Sequence, residues 1–65
     1  MTPKEFKAAR ISLGLTQAQA SSVFGVGKRT LEYWETDDGK RPVHPTAIKF
    51  MKWLLAGFRP PDWPA

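Results

Sequence analysis

Apolar side chains recur along this chain every three or four positions, and glycines and prolines punctuate the runs, so the pattern predicts helices throughout. Phe6, Ala9 and Leu13 form the first stripe, with Arg10 and Ile11 beside it. Ahead of it, Thr2-Pro3-Lys4-Glu5 supplies a hydroxyl cap, a proline at the first helical position and a glutamate completing a capping box. Gly14 closes that helix, predicted over 3–13. Thr16 with Gln19 makes a second capping box, opening a helix over 16–24 that stops at Phe24-Gly25. Gly27 caps a third helix over 28–36, and Pro45 opens a fourth over 45–57. The predicted fold is all-α: a compact four-helix domain over 1–58, followed by a proline-rich tail, 59–65, that cannot be helical.

The fourth helix carries more apolar surface than one small interior uses. Ile48, Met51, Leu54 and Leu55 make one stripe, while Phe50 and Trp53 lie on another face. Either an aromatic of the second stripe seals the edge of the core under the tail, or the surplus is a dimer interface. The interface residues would be Phe50, Trp53, Leu54, Phe58 and Trp63, with Trp63 packing on its own subunit or reaching across to a partner.

Residues 16–36 satisfy the demands of a helix-turn-helix. Two short helices that cross need a small residue at the crossing, a glycine in the turn and apolar residues facing inward. Ser21 is the small residue, and Gly25 stands where a positive φ is required. Ala20, Phe24, Val26, Leu31 and Trp34 are the inward positions. Lys28, Arg29 and Tyr33 are then left on the outer face of the third helix, toward solvent or a major groove. Glu32 also faces out, where it accepts from a cytosine amino group, orients Arg29 or simply meets water.

Composition narrows the function. At 65 residues and 42% hydrophobic content the chain is one ordered domain near the lower size limit for a self-supporting core. No cysteine is present, which excludes disulfides, thiolate metal sites and cysteine nucleophiles. No apolar run is long enough to cross a bilayer, and the polar N-terminus is no signal peptide, so a cytoplasmic, nucleoid-associated protein without a membrane partner is expected. Net charge is +4, with cations spread over both halves, so any basic face is assembled by folding. His44 is the one histidine and has no second ligand for a metal; it reads as a cap of the fourth helix or a surface residue. Gly25-Val26-Gly27-Lys28 lacks the spacing and the preceding strand of a phosphate loop. The expectation is no enzyme, no metal, no cofactor and no small-molecule ligand.

The run Leu15-Thr16-Gln17, then Gly25-Val26, Leu31, Trp34-Glu35 and the basic Lys40-Arg41-Pro42 loop resemble the lambda-repressor-like (Cro-type) helix-turn-helix family of bacterial and phage transcription regulators. The resemblance covers about residues 2–57. It implies that Lys28, Arg29 and Tyr33 reach base edges and that Gln17, Thr30, Lys40 and Arg41 touch phosphate. It also implies a buried structural ion pair between Arg10 and Glu35. The chain departs from the family in having a proline-rich tail where a fifth helix is frequent, in Ser21 where alanine is commoner, and in the acidic Asp37-Asp38 beside a phosphate-facing loop. Small phage autorepressors, including those of anti-CRISPR operons, look nearest. The implied function is a homodimeric repressor that binds double-stranded DNA at an inverted-repeat operator and controls its own operon. The rival reading is an antitoxin or adaptor that binds another protein through the fourth helix and the aromatic tail.

Overall fold

The computed structural model describes residues 1–36 and 43–64, which form four helices and no strand: α1 (Pro3–Ser12), α2 (Gln17–Phe24), α3 (Lys28–Glu35) and α4 (Pro45–Leu55). Each boundary has a local cause. The Thr2 hydroxyl accepts the Glu5 amide while the Glu5 carboxylate accepts the Thr2 amide, and Pro3 follows with φ already fixed for a helix. Thr16 and Gln19 repeat the exchange at the head of α2. At α4 the cap is His44, whose Nδ1 accepts the Thr46 amide at 3.1 Å. The predicted ends move by one or two residues: Thr16 is a cap rather than a helical residue, and α4 stops at Leu55, not at position 57.

α2 ends where Gly25 swings to φ 71, ψ 30. That turn lets the Gly25 amide donate to the Ser22 carbonyl at 3.2 Å and the Val26 amide to the Ser21 carbonyl at 2.9 Å. Only three residues, 25–27, then separate α2 from α3.

The core takes side chains from every helix. Phe6 of α1, Leu31 of α3, and Met51 and Leu54 of α4 are fully enclosed, with Ala20 and Val23 of α2 beside them. Phe6, Phe24 and Trp34 meet edge to face in a triangle with centroids 5.6–6.0 Å apart. Ser21 is buried where α2 packs on its neighbours, and its hydroxyl donates to the Ala18 carbonyl of its own helix at 2.7 Å. The small polar residue therefore enters the core without an unpaired hydrogen-bonding group.

Two expectations for α4 need correction. Leu54, expected at an interface, is 0% exposed in its own core and offers no surface, whereas Leu55, assigned to the core stripe, is 47% exposed. The helical period places both residues near the stripe, but the neighbouring helices cover the arc centred on Ala47, Met51 and Leu54 and stop short of Leu55.

The tail folds back. Gly57, at φ 111, turns the chain out of α4, and the Arg59 guanidinium donates to the Leu54 and Phe58 carbonyls at 2.7 and 2.8 Å. The same guanidinium lies 4.5 Å from the centre of the Trp63 ring. Trp63 packs against the core of its own chain.

Candidate nucleic-acid interface

α3 divides cleanly by face. Leu31 is fully buried and Trp34 half-buried, so the inner side of the helix is committed to the core. Lys28, Arg29 and Thr30 are exposed in its first turn. Tyr33 is 36% exposed and Glu32 is half-buried. No ion pair engages Lys28 or Arg29 among the described residues, and Glu32 does not orient Arg29 through one. With its side chains an α-helix is about 10–12 Å across, which matches the ~12 Å width of a B-DNA major groove.

Rigidity behind this face comes from one buried network. Arg10 of α1 donates from Nε to Glu35 Oε2 at 2.7 Å and from Nη2 to Glu35 Oε1 at 3.2 Å. Its Nη1 donates to the Leu15 carbonyl at 2.8 Å. Side-chain exposure is only 10% for Arg10 and 4% for Glu35. Gln17, the first residue of α2, adds its amide: Nε2 donates to Glu35 Oε1 at 3.2 Å. The network thus ties α1, the α1–α2 turn, the head of α2 and the last residue of α3. It fixes the pitch of α3 against the rest of the domain.

Sequence reasoning missed the Gln17–Glu35 and Arg10–Leu15 bonds. Both join groups whose proximity arises only when α1, α2 and α3 are packed. Among the described residues Gln17 makes no side-chain hydrogen bond beyond the one to Glu35. Lys40 and Arg41, assigned to phosphate, lie outside the described residues. His44 is engaged as a helix cap, and the described residues hold no cluster of His, Asp and Glu suited to a metal ion. None of the described helices is long and apolar enough to cross a membrane.

Of the residues assigned to a dimer interface, Leu54 is in the core and Trp63 lies under Arg59. Phe50 is half-buried between Phe24 and Phe58, at centroid distances of 5.0 and 6.2 Å. Trp53 and Phe58 are the two that keep about half their surface in solvent, 52% and 47%.

Comparison with known proteins adds one similarity. Over 52 residues, 80% of its length, the chain is 38% identical to the Type II methyltransferase M.MspI of Moraxella sp. That stretch is 12% of the methyltransferase, so the chain spans about an eighth of the relative it matches. No protein-family model matches the chain, and no solved structure does.

Proposed function

We propose that this protein is a sequence-specific, double-stranded-DNA-binding repressor of helix-turn-helix type, in which α3 enters the major groove and α2 crosses the backbone. The observation that carries the reading is the outer face of α3. Among the described residues no ion pair engages the two cations of its first turn, and the opposite side of the helix is locked in the core by Leu31. A groove-reading helix needs cations left open in its first turn and an inner side packed firmly enough to hold its orientation.

The chemistry divides between position and discrimination. Arg29 carries a planar fork that matches O6 and N7 of guanine, and Lys28 reaches a guanine or the adjoining phosphate. Tyr33 presses its ring against a thymine methyl or gives its hydroxyl to phosphate, and Glu32 accepts from a cytosine amino group. Thr30 and the Gln17 amide at the head of α2 take phosphates, aided by the partial positive charge of the helix N-terminus. Lys40 and Arg41 add a second phosphate contact. Two copies on an inverted repeat place their α3 helices about 34–36 Å apart, one turn of the duplex. Repression then follows from excluding polymerase, with the chain's own operon as the target.

The similarity to the methyltransferase gives no reason to read methyl transfer into this chain. The 52 matched residues are 12% of the methyltransferase, too small a share for its activity to carry over on the match alone. Among the described residues there is no strand on which a cofactor-binding sheet could be built.

Selection from a random duplex library followed by footprinting tests the reading. The expected result is an inverted repeat, with binding that weakens linearly in a log–log salt plot. Arg29→Ala is expected to relax preference at one base pair per half-site, by about 1–3 kcal/mol, while Lys40→Ala weakens all sequences alike. An unchanged preference in Arg29→Ala refutes the base-reading role, and the absence of any preferred duplex refutes the proposal.

A further inference from the structure

The exposed side of α4 is a second surface with its own chemistry. Lys49, Lys52 and Trp53 share that side at helical spacing, and Phe58 joins them from the tail with its ring 6.1 Å from that of Trp53. The Lys49 ammonium lies 5.8 Å from the centre of the Trp53 ring. From Val43 to Pro61 the chain contains Lys49, Lys52 and Arg59, and the first carboxylate after them is Asp62 in the tail, nine residues past Trp53. Neither Lys49 nor Lys52 has an ion-pair partner among the described residues.

The apolar part of this surface is held rigidly. Phe58 is backed by Phe50, and Phe50 by Phe24 of the core. Arg59 locks the chain just beyond Phe58 by donating to the Leu54 carbonyl at the end of α4 and to the Phe58 carbonyl itself. Trp53 and Phe58 therefore stay presented to solvent, at 52% and 47% exposure, with little further entropy to lose on contact.

We propose that this face docks a protein segment that is acidic and carries one bulky apolar anchor, rather than a second copy of the chain. Charge decides between the two occupants. A two-fold interface sets the same patch against itself, so Lys49 and Lys52, the charges beside Trp53 on α4, oppose like charges wherever they meet. An acidic segment does the reverse. Its anchor covers the exposed parts of Trp53 and Phe58 while a flanking carboxylate meets the Lys49 ammonium that lies over the indole. This surface stands independently of DNA reading by α3.

The test is selection from a display library of random short peptides, counter-selected on Trp53→Ala. Binding of the enriched consensus as a synthetic peptide is then followed by amide chemical shifts. The expected consensus is net negative with an aromatic or large aliphatic anchor. Its shifts are confined to Lys49, Lys52, Trp53 and Phe58, and its affinity falls at least tenfold in Trp53→Ala. The surface variant Lys49→Glu with Lys52→Glu, whose circular dichroism should match the parent, is expected to abolish that binding and prefer the charge-reversed peptide. Neutral or basic consensus sequences, or none dependent on Trp53, overturn the proposal. So does self-association that Trp53→Ala abolishes, which makes a second copy the occupant. Shifts at Lys49 and Lys52 on adding a DNA duplex also overturn it, by assigning the face to phosphate. The last two outcomes leave the α3 reading intact.

Discussion

Replacing Arg10 by methionine keeps most of the side-chain length but removes the guanidinium that serves three acceptor sites. Glu35, whose side chain is 4% exposed, then keeps a carboxylate inside the domain with the Gln17 amide as its remaining partner among the described residues. Stranding one member of a buried pair costs about 3–5 kcal/mol. The Leu15 carbonyl also loses its donor, for about 1–3 kcal/mol taken alone. The two losses share one network and do not add in full, so the expected destabilisation is about 4 kcal/mol. At roughly 0.05–0.15 kcal/mol per residue, the whole domain holds only about 3–10 kcal/mol. Arg10→Met is therefore expected to lower the melting temperature by roughly 15–30 °C, and to leave a large unfolded fraction at room temperature if the parent sits at the low end. Urea titration and thermal melts followed by far-ultraviolet circular dichroism measure this directly. The double variant Arg10→Met with Glu35→Leu removes both charges and is expected to recover most of the loss. A single variant that loses under about 1 kcal/mol, as an exposed pair would, refutes the buried-network argument. A double variant as unstable as the single one refutes it equally.

Other positions give sharper local tests. Gly25→Ala meets no atom within 4 Å, so its cost is the left-handed backbone alone, about 1–2 kcal/mol by urea titration. Gly27→Ser, at φ −70 and at the cap of α3, is expected to gain a few tenths of a kcal/mol in the same assay. Hydrogen bonds from the Thr2 amide and hydroxyl region hold the Glu5 carboxyl below its ordinary value of 4.5. A lowered folded-state value stabilises above the unfolded one, so the head of α1 is expected to loosen as pH falls below about 4.5. Amide shifts of Thr2 and Glu5 should report this, and Glu5→Gln should abolish the titration. Arg59→Ala removes the cation over Trp63, for about 0.5–1 kcal/mol, and the Trp63 indole resonance should move toward its unfolded position while α1–α3 stay unchanged.

Much of the helical framework was legible in the chain because helix ends are set by contacts within four residues. Thr2 with Glu5, Thr16 with Gln19, Pro3 and Pro45 as first residues, and Gly25 as the left-handed stop all act locally, and each stands where its chemistry predicts. The partition of α3 was also readable, since Leu31 and Trp34 define one side and Lys28 and Arg29 the other. What lay beyond sequence reading was which arc of α4 the rest of the molecule would cover. Its apolar residues nearly encircle the helix, so period alone could not separate enclosed Leu54 from exposed Leu55. Packing also decided the partners of the polar groups. Gln17 meets Glu35, Arg10 meets the Leu15 carbonyl, and Arg59 folds the tail onto its own chain, through contacts made only once the helices are assembled. Short-range capping and periodicity are written in neighbouring residues, whereas burial and long-range pairing depend on how whole elements compete for one small interior.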